Sequence, residues 1–230
     1  MADDALMTDV LEWDVRTWST AFRFWETLID DAPPVLRCLE IGAGGGGPSL
    51  WLALQGHDVV CSNLADTEPI ASPLHDRYGV RDRISYEIID ATDIPYENEF
   101  DVVVFKSVLG GVGAFGGVDL QQRAVDEIFK ALKPGGRLLY AENLRATVIH
   151  RAARAVAYRV RGSAWRFVTI TQLRRFLSRF ADQELHTTGV LAVFGTTEHR
   201  RGRLASIDRI LNRVAPRGWK YVAYGVATKP

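Results

Sequence analysis

The chain has 230 residues, 47% hydrophobic and 24% charged, with a formal net charge of zero. That balance excludes a disordered chain and argues against a general nucleic-acid binder, and the length suffices for one α/β domain with a sizeable core. No apolar run approaches the roughly 18 residues of a membrane-crossing helix, and the opening Met1-Ala2-Asp3-Asp4 is acidic, so neither a span nor a signal peptide is expected and the default location is cytoplasmic.

Residues 8 to 31 place Trp18, Phe22, Trp25 and Ile29 on one helical face, which reads as packing on a sheet or as a lid over a pocket. Asp30-Asp31-Ala32-Pro33-Pro34 ends that helix. The apolar run Val35 to Ile41 is short and stops at glycine, as a strand covered on both faces does. Gly42-Ala43-Gly44-Gly45-Gly46-Gly47 follows, then Pro48 with Leu50, Trp51 and Leu54 at helical spacing, then a second strand from Asp58 to Asn63. The helix start aims its free N–H groups at the glycine loop, where a polar or anionic ligand fits. Gly42, Gly44 and Gly47 satisfy G-x-G-x-x-G, as in an NAD-dependent oxidoreductase; Glu40, Gly42, Gly44 and Gly46 satisfy E-x-G-x-G-x-G equally well. Cys38 and Cys61, each inside an expected strand, read as small buried side chains rather than a disulfide or metal ligands.

The alternation continues with a helix over 70–79, a strand from Ile84 to Asp90, a strand from Glu99 to Lys106, a helix over 119–132 ending at Lys133-Pro134-Gly135-Gly136, and a strand from Arg137 to Asn143. Strands alternating with helices imply right-handed crossovers and a parallel sheet. A basic segment spans 144–166, followed by a helix from Thr171 to Phe180, a strand near 184–194, a short helix around 206–214 and a closing strand from Trp219 to Thr228. Without repeats or a linker, residues 1–230 read as one domain: an N-terminal helical segment (1–34), a ligand-binding core (35–143) and an acceptor-side remainder (144–230).

Four ordered stretches resemble the class I S-adenosylmethionine-dependent methyltransferases. They are Glu40-Ile41-Gly42-Ala43-Gly44-Gly45-Gly46, Ile89-Asp90-Ala91-Thr92, Phe100-Asp101-Val102-Val103-Val104 and Leu132-Lys133-Pro134-Gly135-Gly136-Arg137-Leu138. The resemblance implies a Rossmann-like, doubly wound α/β fold with a seven-stranded sheet, mostly parallel with an antiparallel last strand. It also implies S-adenosyl-L-methionine across the carboxyl ends of the first strands. Gly42, Gly44 and Gly46 would then admit the methionine part, Asp90 with Ala91 would lie beside the adenine, and Glu40, Ala43 and Thr92 would belong to the same cofactor site. Lys106 and Ser107 would face the methyl group and acceptor. The family usually has an acidic residue accepting from both ribose hydroxyls at the end of the second strand; here Asn63 stands there, followed by Leu64, and an amide carbonyl accepts without charge assistance.

Methyl transfer needs an in-line nucleophile, and a general base where that nucleophile must lose a proton. Glu142 and His150 follow the fifth strand and are the candidate catalytic residues, each with a structural alternative: Glu142 as a helix cap or arginine partner, His150 as an exposed basic-helix residue. His199 is less well placed, His57 and His75 read as structural or solvated, and His186 is unassigned. The family's N-P-P-Y tetrad is replaced by Lys106-Ser107-Val108-Leu109, which disfavours base or glutamine N-methylation, and no metal-ligand cluster stands out.

From Asn143 to Ala181 there are nine arginines and no acidic residue. This is a solvated face, a platform for an anionic acceptor, or, with Val148, Ile149, Ala152, Ala153, Val156 and Tyr158, a surface for peripheral membrane contact. Phe105-Lys106-Ser107-Val108-Leu109-Gly110-Gly111 and Trp219-Lys220-Tyr221 resemble bacterial small-molecule methyltransferases of surface-polysaccharide and natural-product pathways. The expected function is therefore O-methylation of a small-molecule or glycosyl acceptor. An NAD-dependent oxidoreductase and a non-catalytic subunit on the same fold, the latter favoured by Asn63, are the alternatives.

Overall fold

The computed structural model describes residues 4–29, 35–161 and 164–230; the helix terminator expected at residues 30–34 lies outside them. The strands are β1 (Arg37–Ile41), β2 (Asp58–Asn63), β3 (Ile84–Ile88), β4 (Phe100–Lys106), β5 (Leu132–Asn143), β6 (Ala181–Thr188) and β7 (Val222–Thr228). They form one sheet in the order β3-β2-β1-β4-β5-β7-β6, with β7 antiparallel to both its neighbours and every other pairing parallel. This is the doubly wound seven-stranded sheet expected, with its last strand reversed.

Alternation along the strands divides the core. Cys38, Val59, Cys61, Val102 and Val104 face a cluster built by α1 (Asp4–Leu11), α2 (Val15–Ile29) and α3 (Gly47–Leu54). Leu39, Ile41, Val60, Val103 and Phe105 face the cluster of α5 (Leu109–Ala131) and α7 (Ile170–Phe176). The remaining helices are α4 (Glu68–Arg77), α6 (Val148–Arg161) and α8 (Glu198–Val214). The register brings the strand ends level, pairing Ile41 with Ser62 and Phe105, Asn63 with Ile88, and Lys106 with Ala141. Gly42, Asn63, Asp90 and Ser107 therefore emerge along one edge, where the strand order reverses between β1 and β4.

Several elements differ from the sequence expectation: β5 begins at Leu132 rather than Arg137, β6 spans Ala181–Thr188 rather than 184–194, and three helices change. The single N-terminal helix is two, broken at Glu12 and Asp14, whose φ values are +64° and +49°. The break is stapled from α8, where Glu198 accepts the backbone N–H of Asp14 and of Val15, both at 2.8 Å, and so caps α2 from a residue far along the chain. α5 begins ten residues early, because Leu109–Gly117 is helical despite its five glycines before the chain kinks at Gly116 and Gly117. α8 starts at Glu198 rather than near 206, with the Thr197 hydroxyl accepting from the Arg200 N–H.

Candidate functional site

A cavity of about 410 Å³ opens at the carboxyl ends of β1 to β4. Gly42, Asn63, Leu64, Asp90, Ala91, Thr92 and Ser107 line it, together with Ile41, Ile89, Val108, Gly111, Val112, Phe115, Leu120 and Trp165. Its size and its mostly apolar walls with a few convergent polar groups are those of a small-ligand site. Seven of the residues singled out for the cofactor meet here.

The glycine loop reaches this cavity through Gly42, while Ala43, Gly44 and Gly46, also expected at the cofactor, lie outside its lining. Gly42, Gly44 and Gly46 have φ of +69°, +54° and +76°, a region that side chains resist. The space beyond Gly44 is open, so a ligand can approach its backbone closely, whereas Gly46 faces inward against Ala71 and His75. Thr67 Oγ1 donates to the Gly44 carbonyl at 2.5 Å and His75 Nε2 donates to that of Gly46 at 2.9 Å. His75 Nδ1 accepts from the Tyr86 hydroxyl, which fixes the tautomer. Ala43 holds the loop to β2 through its N–H on the Ser62 carbonyl.

Glu40 is not in the cavity. It is fully buried, and its Oε2 accepts the Ser49 N–H at 2.8 Å and the Ser49 hydroxyl at 2.5 Å, capping α3 in its first turn. Burial pushes its carboxyl up to about 8, against the pull of those hydrogen bonds and of Lys106. Lys106 also departs from expectation. Strand alternation puts it on the same face as Val102 and Val104, so its Nζ turns away from the acceptor, donating to the Leu11 carbonyl at 3.4 Å and sitting 5.7 Å from the Trp18 ring.

At the ribose position Asn63 Oδ1 accepts the Leu64 N–H at 2.9 Å. The carbonyl expected to receive a hydroxyl thus already takes one backbone N–H and keeps one lone pair. Asp90 Oδ1 accepts both the N–H and the hydroxyl of Thr92 at 2.8 Å, leaving Oδ2 for a ligand, and Arg123 Nε holds the turn through the Thr92 carbonyl. A carboxylate, an amide and flanking Leu64, Ile89 and Ala91 suit an adenosine: donors and acceptors for its polar edge, apolar surface for its ring.

The other end is where the acceptor side is expected. Ser107, at φ +61°, leaves the line of β4, and its hydroxyl accepts from Asn143 Nδ2 at 2.6 Å. Beyond it the wall is the glycine-rich start of α5 and Trp165. A Cβ on Gly110 would stand 1.8 Å from Trp165 Nε1, so the indole requires bare backbone there. Gln121 ties this wall, donating to the carbonyls of Leu109 and Arg166 at 2.7 and 3.1 Å, and Arg166 donates back through its N–H to Gly110 and its guanidinium to Gln121. Phe115 is 87% exposed at the mouth.

Neither candidate base reaches this cavity. Glu142 is fully buried and accepts the N–H groups of Val108, Leu109 and Asn143 at 3.0, 2.7 and 2.8 Å, capping α5. Burial raises its carboxyl to about 7, opposed by those same N–H groups. His150 is buried, with Nε2 donating to the Val190 carbonyl at 2.8 Å and Nδ1 accepting from the Thr147 hydroxyl at 2.7 Å; burial lowers its pKa. Both ring nitrogens are spent, Nε2 on holding α6 to the loop before residues 192–194 and Nδ1 on Thr147 at the start of α6 itself. Among the described residues no three His, Cys, Asp or Glu side chains could hold a metal ion, and no helix is long and apolar enough to cross a membrane.

Trp165 also lines a second cavity of about 400 Å³, with Arg145, Arg151, Ala155, Arg166, Phe167 and Gln172. Trp165 and Phe115 line this half and Gln121 braces it, and sequence patterns single out none of the three. The excess of glycine in Leu109–Gly117, beside an aromatic-bearing basic segment, was the available signal.

Residues 39–140 match the family described as a methyltransferase domain. A demethylmenaquinone methyltransferase of Clavibacter sepedonicus is 32% identical over 107 residues, 46% of this chain and 40% of that one. Methyltransferase GfsG of Streptomyces halstedii is 27% identical over 124 residues, 52% of this chain and 42% of its own. The chain thus spans about two fifths of the length of these relatives. Among solved structures, phosphoethanolamine N-methyltransferase 2 of Haemonchus contortus, in complex with phosphomonomethylethanolamine and S-adenosylhomocysteine, superposes with a TM-score of 0.64 at 18% identity, covering 93% of this chain and 53% of that one.

Proposed function

We propose that this chain, which belongs to the class I S-adenosylmethionine-dependent methyltransferases, transfers a methyl group to an oxygen of a small-molecule or glycosyl acceptor that carries an anionic group. The observation that carries the reading is the cavity at the strand-order reversal, with Gly42, Asn63, Asp90 and Ser107 converging on it from four strand ends. When bound there, S-adenosylmethionine supplies a methyl group on a positively charged sulfur.

The chain's own residues do the rest by position. Gly44 lets backbone approach the ligand, Asn63 and the free oxygen of Asp90 orient the polar edge of an adenosine, and Val108, Val112, Leu120 and Trp165 keep water from the acceptor side. Holding two reactants in attack geometry is worth up to about 7–11 kcal/mol, which is most of what such a transfer needs. Ser107 offers a neutral hydroxyl, polarised by Asn143, at the acceptor end. That group hydrogen-bonds a hydroxyl acceptor in both directions. With Glu142 and His150 both engaged elsewhere, deprotonation rests on the acceptor's own acidity, aided by the field of the neighbouring arginines, which favours an ionised acceptor. Acidic hydroxyls such as phenols and enols fit best.

Calorimetric titration with S-adenosylmethionine, S-adenosylhomocysteine and NAD tests the cofactor, and transfer of an isotopically labelled methyl group to a panel of phenolic and glycosyl acids tests the acceptor. Binding of NAD alone would establish an oxidoreductase; binding of none, a non-catalytic subunit. Labelling at nitrogen or carbon only would overturn O-methylation.

A further inference from the structure

The arginines of the basic segment are not spread over a convex face. Arg145 and Arg151 line the cavity behind Trp165 and also a third cavity floored by Ala146, Thr147, Val148, Gly218 and Trp219. Arg145 is seated rigidly at the end of β5: its N–H donates to the Val168 carbonyl at 2.8 Å, and Leu144 pairs with Val168. Arg151 stands one turn into α6 on the Thr147 carbonyl. Both side chains are exposed, and neither forms an ion pair among the described residues. No described residue lining either cavity is acidic. Buried Arg154 lies close by, donating to the Leu144 carbonyl at 2.6 Å and stacking on Phe167 with 4.4 Å to the ring centroid, so positive charge is added from within. Arg145 and Arg151 have no counter-ion among the described residues, which raises the free energy of the empty site, and an anion relieves it. Trp165 is shared with the main cavity, so the two cavities are neighbours across its indole.

We propose that Arg145 and Arg151 are the docking site for the acceptor's oxyanion, a carboxylate or phosphate monoester, and that Trp165 and Phe167 flank the ring joining that group to the atom that is methylated. The guanidinium fork matches both oxyanions, and an aromatic wall between charge and reaction centre selects a flat spacer. The proposal rests on the methyltransferase reading for what arrives at the site, but oxyanion binding itself is measurable without any acceptor.

The full chain saturated with S-adenosylhomocysteine is titrated calorimetrically with 1-naphthyl phosphate, 2-naphthoate and neutral 2-naphthol. The two anions should bind at least about tenfold more tightly than the naphthol, and Arg145→Gln with Arg151→Gln should erase about that factor while S-adenosylhomocysteine affinity stays within about twofold. Added sodium chloride should weaken anion binding to the parent and leave the double variant unaffected. If the double variant does not fold, Arg151→Gln alone, at an exposed helix position, carries the same test. Equal affinity for all three probes, or anion binding unchanged in the variant, overturns the assignment. A companion sedimentation with phosphatidylcholine–phosphatidylglycerol vesicles separates the membrane alternative: arginine-dependent vesicle binding without naphthyl phosphate binding would overturn the acceptor site and make this a lipid face. Anion selectivity in a chain that binds no adenosyl compound would sink the methyltransferase reading and leave the oxyanion site standing.

Discussion

The two ends of the main cavity are built in opposite ways. At the cofactor end every turn of the backbone is pinned: Thr67 and His75 hold two loop carbonyls, Ser49 and Glu40 fix the start of α3, and Val10 closes over Gly47. At the acceptor end the wall is a helix start of five glycines, kinked at Gly116 and Gly117, with Phe115 exposed and one indole laid on it. A rigid end suits a ligand that never changes. On the proposed reading, a glycine-rich wall, whose shape is set by what packs behind it, is where acceptor choice would lie.

Substitutions can break that contrast, starting with the largest expected effect. Gly44→Val forces a β-branched residue to φ +54° and fills the open space beside the loop, and S-adenosylhomocysteine binding should weaken by at least about 100-fold, or about 2.7 kcal/mol. Wild-type affinity in calorimetry would mean that the loop does not meet the ligand. Gly110→Ala drives a methyl group into Trp165 at the other end. Labelled-methyl transfer should be largely lost and stability should fall by about 1–3 kcal/mol, while S-adenosylhomocysteine affinity stays within about threefold. Equal damage to cofactor binding would erase the distinction between the ends.

Glu40→Gln sharpens it through pH. The Glu40 carboxyl, at about 8, lies above its ordinary value of 4.5, so the folded protein keeps a proton that the unfolded chain has released. Stability from this group therefore declines as pH rises from about 4.5 to 8 and the loss is complete above that. The glutamine, which can still accept from the Ser49 N–H, should flatten this decline in melting temperature between pH 5 and 8.5; an unaltered slope would mean that another group titrates. His150→Ala should lower stability by about 1–3 kcal/mol through its two hydrogen bonds, with turnover per folded molecule retained, and a collapse of turnover alone would restore it as a base. Asn63→Asp should tighten S-adenosylhomocysteine binding by about threefold, since one carboxylate oxygen can take the Leu64 N–H and the other face the ribose. Weaker binding would show that the donor Nδ2 is what the ligand uses.

The same contrast explains what the sequence revealed. Gly42, Asn63, Asp90 and Ser107 are strand-end positions, and once the strands are recognised their location follows from register alone. Lys106 is also a strand end, but its side was decided by alternation, which sends it to α2 rather than to the cavity. Glu142 and His150 were placed on the right edge of the sheet, yet adjacent helix termini and carbonyls claimed their polar atoms, and such tertiary partners leave no local pattern. The clamps on the glycine loop, Thr67 and His75, lie more than twenty residues from their partners and were illegible for the same reason.

The strand order has a consequence for motion. β6 has no sheet neighbour except β7, and β7 reaches the older strands only through β5, with Leu144 and Tyr221 hydrogen-bonded across the junction at 2.8 Å. Everything between those two residues, the arginine cavities included, is one loop closed by the β5–β7 ladder. Sheet order alone lets that ladder part without disturbing β1 to β4. Amide exchange should accordingly report two cooperative units: β6 and β7 releasing their protons together, and the strands beneath the glycine loop later. The acceptor half would then breathe as a single body against a cofactor half that stays shut.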